Sequence, residues 1–260
     1  MVTVLLVRHG RSTSNAAGTL AGRTPGVDLD DHGRTQAAAL AGRLSGIPIH
    51  RLVCSPMDRC RQTVAPLAAA LGLEVETDDR LLEVDYGSWS GRELKALLHE
   101  PLWRVVQAHP SAAVFPDGEG LAEMSARAVD GIRAIRRAAT ADTTVLVCSH
   151  GDVIKAILAD ALGLHLDSFQ RIVVAPASVS VVRYTPLRPF VERVNDTGDP
   201  ILAPPPARPA PADPAAESGA GNSAGAAGAA GEQPGGPSGD GAAHPSADHS
   251  SDAVPGGVTR

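Results

Sequence analysis

The sequence has 260 residues, a formal net charge of −6 and 3% aromatic residues. No segment is strongly basic, no apolar run reaches membrane-spanning length, and the three cysteines form no Cys-x-x-Cys pair. These features argue against nucleic-acid binding, a membrane span and a disulfide framework, and they predict a cytoplasmic protein.

The composition of the chain changes near residue 200. From 201 to 260 there is no aromatic residue, and Gly, Ala, Pro and Ser dominate. Such a segment buries too little apolar surface to offset the entropy lost on ordering, so we predict a disordered tail over 201–260. Residues 1–200 are enough for one domain with a single core.

The first half of this domain begins with a strand over 2–7, a continuous aliphatic run typical of a strand buried on both faces of a parallel sheet. A polar turn region then leads to a helix that begins at the N-cap Asp31 and reaches about Leu44. A short strand over 52–54 follows, and Ser55 is the predicted N-cap of the next helix.

The second half alternates in the same way between strands and helices. Strands are predicted at 74–76, 144–148, 179–184 and 190–194. Helices are predicted over most of 92–139 and over 152–162, the latter with Asp152 as N-cap. This alternation predicts an α/β fold with three α/β/α layers and a mostly parallel central sheet. In such folds, ligands bind at the carboxyl ends of the strands.

Polar motifs stand where that rule places a ligand. Arg8-His9-Gly10 follows the first strand, Ser55 and Arg59 follow the second, and Ser149-His150-Gly151 follows the strand over 144–148. Glu83 precedes a turn that contains glycine and tryptophan. Charged groups at the end of a buried strand are unfavourable unless they meet a common ligand, so we expect these motifs to form one site.

The ordered set Arg-His-Gly, Ser-x-x-x-Arg, Glu-x-x-x-Gly-x-Trp-x-Gly and Ser-His-Gly resembles the histidine phosphatase superfamily, in its phosphoglycerate-mutase-like branch, over roughly residues 2–195. Within that branch the chain is similar to an actinobacterial group of phosphomutases and acid phosphatases. The resemblance implies a phosphoglycerate-mutase-like fold and a phosphomonoester hydrolase that acts on a small phosphorylated metabolite. No cofactor and no metal are expected, and a homodimer is left open.

Four of these residues have chemistry suited to phosphoryl transfer. Arg8 and Arg59 are permanently charged forks that match phosphate oxygens. His9 as a neutral imidazole can attack phosphorus to form phosphohistidine, and a backbone carbonyl is expected to hold its other ring nitrogen. His150 is expected to be protonated and to stabilise the charge that develops on the phosphate.

Glu83 is the predicted general acid, which protonates the leaving oxygen. The resemblance implies that it then activates water against the phosphohistidine. Asp85 and Asp152 are alternatives for this role, although Asp152 is better explained as a helix N-cap.

Further contacts to the substrate are predicted in the loops that follow His9. Ser12 and Asn15 match the family's Thr-x-x-Asn, with Asn15 as a phosphate donor. Gly22 and Arg23 belong to a loop next to the phosphate, in which Ala21 stands where many relatives carry Gln. Because that side-chain contact is lost, Arg23 is expected to contact the substrate instead, and the substrate specificity of relatives does not transfer.

Two other functions are compatible with this pocket. A cofactor-dependent phosphomutase would return the phosphate to another hydroxyl and must exclude water while it does so. The segment between Glu83 and His150 is shorter than in mutases of this type, which favours hydrolysis. A non-catalytic sensor of phosphorylated ligands is less favoured, because it would be expected to lack the nucleophile or the proton donor.

Overall fold

The computed structural model describes residues 1–199, and the predicted tail over 201–260 lies outside the described residues. Six strands form one sheet in the order β3-β2-β4-β1-β5-β6. Strands β1 to β4 run parallel, and β5 is antiparallel to both β1 and β6. The strands are β1 (Val2–Arg8), β2 (Arg51–Cys54), β3 (Val75–Thr77), β4 (Thr143–Ser149), β5 (Val179–Tyr184) and β6 (Pro189–Asp196).

Helices cover both faces of the sheet, which confirms the predicted three-layer α/β/α fold. Alternate residues of β1 pack into different clusters, Val4 and Leu6 on one face and Leu5 and Val7 on the other. This is the two-residue period of a strand buried on both sides. The helices are α1 (Thr13–Ala17), α2 (Asp31–Arg43), α3 (Asp58–Leu71), α4 (Leu94–Leu97), α5 (Pro101–Ala108), α6 (Leu121–Ala138) and α7 (Gly151–Leu162).

Helix α2 begins one residue earlier than predicted, because its N-cap is Asp30 and not Asp31. The Asp30 carboxylate accepts a hydrogen bond from the Gly33 amide at 2.7 Å. The helical prediction over 92–139 corresponds to α4, α5 and α6 with short connections. Among residues 1–199, no helix is long and apolar enough to cross a membrane.

The predicted N-caps of α3 and α7 are wrong, and the reason is tertiary. Helix α3 begins at Asp58 after the N-cap Met57, which makes no side-chain capping bond. The hydroxyl of Ser55 is instead bound to His150 at 2.8 Å. Helix α7 has His150 at its N-cap position, so Asp152 lies inside the first turn with a fully buried side chain. In both helices, the side chain that local rules assign to capping instead makes tertiary contacts near the site.

Candidate active site

The sheet order brings the predicted motifs to one edge. Strands β2, β4 and β1 are neighbours, with Arg8 beside Ser149 in the parallel register. The backbone pairing continues past the strands, since the His9 amide donates to the Ser149 carbonyl at 3.0 Å. The side chains that follow these strands therefore meet at the carboxyl end of the sheet.

A small cavity opens at this edge. Seven of the nine predicted site residues line it: Arg8, His9, Ser12, Asn15, Gly22, Arg59 and Glu83. His150 and Arg23 are not among its lining residues. The five further lining residues are Thr19, Leu20, Ala21, Tyr86 and Leu94.

His9 is held in one tautomer. Its Nδ1 lies 2.7 Å from the Gly10 carbonyl, which can only accept, so Nδ1 carries the proton and Nε2 keeps a lone pair. Burial, followed by the charges of Arg59 and Arg8, lowers the pKa of His9 well below its usual value. The ring is therefore neutral, and the predicted carbonyl partner is present.

The loop that carries His9 is fastened to α3 through Thr63. The Thr63 hydroxyl accepts from the Gly10 amide at 2.9 Å and donates to the Arg59 carbonyl at 2.6 Å. One buried side chain thus joins the loop of His9 to the helix of Arg59. Sequence reasoning missed this role of Thr63, because a threonine inside a helix is usually explained by packing.

Two buried guanidinium groups flank the nucleophile. Arg8 and Arg59 are each 1% exposed. Burial lowers the pKa of Arg8 to about 10, opposed by the charges of Glu83 and Asp152, so the group stays protonated at neutral pH. Arg59 donates from Nη2 to the Gly22 carbonyl at 2.8 Å, and its buried Nη1 has no hydrogen-bond partner within residues 1–199. A buried donor of this kind is suited to an anionic ligand.

The protonation of His150 follows from its hydrogen bonds. Arg59 donates from Nη2 to His150 Nδ1 at 3.1 Å, and a guanidinium cannot accept, so Nδ1 is unprotonated and Nε2 carries the proton toward the Ser55 hydroxyl. Burial, followed by the charge of Arg59, lowers the pKa of His150 well below its usual value. The imidazole is therefore neutral in this arrangement, and a ring that is protonated beside a bound phosphate stays a prediction. The ring centroid of His150 lies 5.2 Å from that of His9.

Glu83 is the one carboxylate among the described residues that line the cavity. It is 4% exposed, and its Oε1 accepts from the Val84 amide at 3.0 Å. Burial, followed by the charge of Asp152, raises the pKa of Glu83 to about 7. A carboxyl with that pKa can both give and take a proton near neutral pH.

Two arginines hold Glu83 by its main chain. Arg23 donates from Nε to the Glu83 carbonyl at 2.9 Å, and Arg127 donates to the same oxygen at 3.0 Å. Arg127 also binds the Leu82 carbonyl at 2.6 Å, and both guanidinium groups share the carboxylate of Glu119. Arg23, predicted to contact substrate, therefore lies against the segment of the general acid in this structure.

The loop after His9 has a defined shape. Ser12 caps α1, and the Asn15 Oδ1 accepts from the Ser12 amide at 3.0 Å and hydroxyl at 2.9 Å. Because Oδ1 is occupied, Nδ2 is the donor that Asn15 can offer to the cavity. Gly22 has φ +50°, and a Cβ there would lie 2.8 Å from the Ser90 hydroxyl. Only glycine fits this approach of the loop to the 84–90 segment.

Neither alternative for the general acid lines the cavity. The Asp85 side chain is 42% exposed and accepts from the Gly87 amide at 3.1 Å. Asp152 accepts from the Tyr86 hydroxyl at 2.8 Å and pairs with Lys155 at 3.3 Å. Sequence reasoning missed this buried Tyr86–Asp152–Lys155 network, because Tyr86 lies far in sequence from the helix that carries Asp152 and Lys155, and the three match no motif.

The part of the chain that the structure describes contains no group of three His, Cys, Asp or Glu side chains that could hold a metal ion. The three cysteines are buried, and burial raises the pKa of Cys54 to about 12 and that of Cys148 well above its usual value. The thiols of Cys54 and Cys148 are therefore protonated and unreactive at neutral pH.

Comparison with known proteins gives a consistent result. The sequence model of the histidine phosphatase superfamily (branch 1) matches residues 4–197. Phosphoserine phosphatase 1 of Hydrogenobacter thermophilus is 32% identical over 200 residues, which cover 76% of this chain and 93% of that protein. Probable phosphoglycerate mutase GpmB of Yersinia enterocolitica is 31% identical, with 71% and 86% covered.

Solved structures share the fold. The mycobacterial glucosyl-3-phosphoglycerate phosphatase superposes with a TM-score of 0.69 at 24% sequence identity, over 75% of this chain and 98% of that one. At this identity the likeness establishes the fold and leaves the substrate open.

Proposed function

The chain belongs to branch 1 of the histidine phosphatase superfamily, and on that premise we propose that it hydrolyses phosphomonoesters of small metabolites through a phosphohistidine on His9. It is a histidine phosphatase enzyme, as its family and its relatives establish. The observation that carries the proposed mechanism is the neutral His9 ring, with Nδ1 bound to the Gly10 carbonyl and two buried arginines beside it.

The first half-reaction transfers the phosphoryl group to the enzyme. His9 Nε2 attacks phosphorus, and the bond from phosphorus to the ester oxygen breaks. Protonated Glu83 gives its proton to the departing oxygen, so that an alcohol leaves. Arg8 and Arg59 neutralise the charge on the phosphoryl oxygens, with the unpartnered Nη1 of Arg59 available to them.

The second half-reaction returns the enzyme to its starting state. Glu83, now a carboxylate, takes a proton from a water molecule, whose oxygen attacks phosphorus as the bond to Nε2 breaks. Inorganic phosphate leaves and His9 is again neutral. His150 acts in this scheme by accepting the hydrogen bond from Arg59 at 3.1 Å and so orienting that guanidinium.

A phosphate-release assay with 4-nitrophenyl phosphate tests this proposal. The substitution His9→Ala should abolish release, and a quench with alkali should trap an acid-labile phosphoenzyme in the unsubstituted protein only. His99→Ala is the matched control, because that histidine is exposed and its side chain forms no hydrogen bond within residues 1–199. Full activity in His9→Ala would refute the mechanism.

The same assay separates hydrolase from mutase. Incubation of 3-phosphoglycerate with a bisphosphoglycerate primer should yield free phosphate faster than isomer. Faster formation of the isomer than of free phosphate would establish the mutase alternative. A cytoplasmic location, the lack of a nucleic-acid partner, the disordered tail and the homodimer stay predictions, and sedimentation of the full chain tests the last.

A further inference from the structure

The wall of the cavity beyond the phosphate-binding groups is apolar or hydroxyl-bearing. Thr19, Leu20, Ala21 and Leu94 line it, with Leu20 and Leu94 only 3% and 7% exposed. The cations among the described lining residues are Arg8 and Arg59, both of which lie beside His9 and act on its pKa. A second anionic group on the substrate would therefore meet no cation on this wall.

Three further arginines stand close in sequence to the lining residues, but each is engaged elsewhere. Arg11 pairs with Asp30 at 2.6 Å. Arg23 binds Glu119 at 2.9 Å, and Arg92 binds Glu100 at 2.6 Å. None of the three lines the cavity. Each of these arginines already has a carboxylate partner outside the cavity.

The backbone of this wall is also fixed. The Leu20 amide donates to the Arg92 carbonyl at 2.9 Å, and the Gly91 amide donates to the Leu20 carbonyl at 2.7 Å. The Leu94 amide donates to the Gly18 carbonyl at 3.0 Å. These bonds join the 18–22 loop to the 91–94 segment, so the wall keeps its side chains in place when a substrate enters.

A carboxylate against this wall would lose water without gaining a partner, which is unfavourable for a charged group. It would also lie in the same cavity as Glu83, which becomes negative as it protonates the leaving alcohol. Resting on the proposed hydrolase function, we propose that the enzyme selects phosphomonoesters of neutral alcohols and discriminates against substrates whose alcohol part carries a carboxylate.

A matched pair of substrates tests this selectivity. Glycerol 2-phosphate and 2-phosphoglycerate differ only in a hydroxymethyl group that replaces the carboxylate. We expect kcat/KM to be about tenfold or more higher for glycerol 2-phosphate, from the penalty of an unpaired buried charge. Equal or higher kcat/KM for 2-phosphoglycerate would overturn the inference. The proposed function is tested independently of this inference: it is refuted if phosphate release from 4-nitrophenyl phosphate does not depend on His9.

A positive charge placed on the wall should reduce the preference for glycerol 2-phosphate. Ala21→Arg should narrow the ratio between the two substrates by about tenfold, because it supplies a partner for the carboxylate. Ala21→Met, of similar length and without a hydrogen-bond donor, should leave the ratio unchanged. Thr19→Arg and Thr19→Met repeat the test if the first pair folds poorly. An unchanged ratio in a folded arginine variant would overturn the assignment of this wall to the alcohol part.

Discussion

The substitution Glu83→Gln tests the assignment of the general acid through stability as well as activity. Glutamine keeps the size of the side chain and the Oε1 acceptor that the Val84 amide binds at 3.0 Å, and it removes the titrating group. Hydrolysis of alkyl phosphates should fall roughly 10²–10⁴-fold. Aryl phosphates should lose less, because their leaving groups need little protonation.

The effect on stability follows from the raised pKa. Burial raises the pKa of Glu83 from 4.5 to about 7 on folding, so the folded state favours the protonated form. The stabilisation is fully present below pH 4.5 and is lost as the pH rises through 7. This contribution to the free energy of unfolding is roughly 3 kcal/mol, since a pKa difference of one unit is worth about 1.4 kcal/mol. Glutamine is neutral throughout and does not lose this stabilisation.

Urea unfolding at pH 5 and pH 8 measures the difference in stability between Glu83→Gln and the unsubstituted protein. Glu83→Gln should be close to the unsubstituted protein at pH 5 and more stable by roughly 2–3 kcal/mol at pH 8. Glu74→Gln is the control, because that side chain is exposed and forms no hydrogen bond among residues 1–199. If the stability difference between Glu83→Gln and the unsubstituted protein is the same at both pH values, the assignment of Glu83 as a buried, protonated general acid is refuted.

Three further predictions concern the residues that support the site. Thr63→Val leaves the buried Gly10 amide without its acceptor and should lower the free energy of unfolding by about 1–3 kcal/mol, whereas Thr63→Ser should not. Arg127→Met should lower kcat roughly 10- to 100-fold with little change in KM, because the segment of the general acid loosens; a pure KM effect would contradict this. Asp152→Asn removes a charge that raises the pKa of Glu83, so the alkaline limb of the pH profile of kcat/KM should move to lower pH; an unmoved limb would argue against the coupling.

The sequence was sufficient to predict how the three strand-end motifs meet. Arg8, His9 and the Ser149–Gly151 motif stand at the ends of aliphatic runs, and parallel strands place such ends at one edge of a sheet. This inference needs only local pattern and a general rule of topology. The fold class followed from the same alternation of strands and helices.

The protonation and capping states could not be predicted in this way. Ser55 has the residue type of an N-cap, but a hydrogen bond to His150, 95 positions away, takes its hydroxyl. The neutral state of His150 depends on Arg59, which reaches it from another helix. Arg127 likewise acts across 44 positions, and an arginine on a helix is usually solvated. Such long-range pairings leave no periodic signal.

The two arginine contacts to the Glu83 carbonyl have a consequence for the whole catalytic cycle. Because Arg23 and Arg127 donate hydrogen bonds to the main-chain carbonyl, the location of Glu83 does not depend on whether its carboxyl is charged. The proton can leave in one half-reaction and a different one arrive in the next without any rearrangement of the support. The position of Glu83 and its charge thus depend on different atoms of one residue, so the proposed mechanism needs no conformational change between donation to an alcohol and acceptance from water.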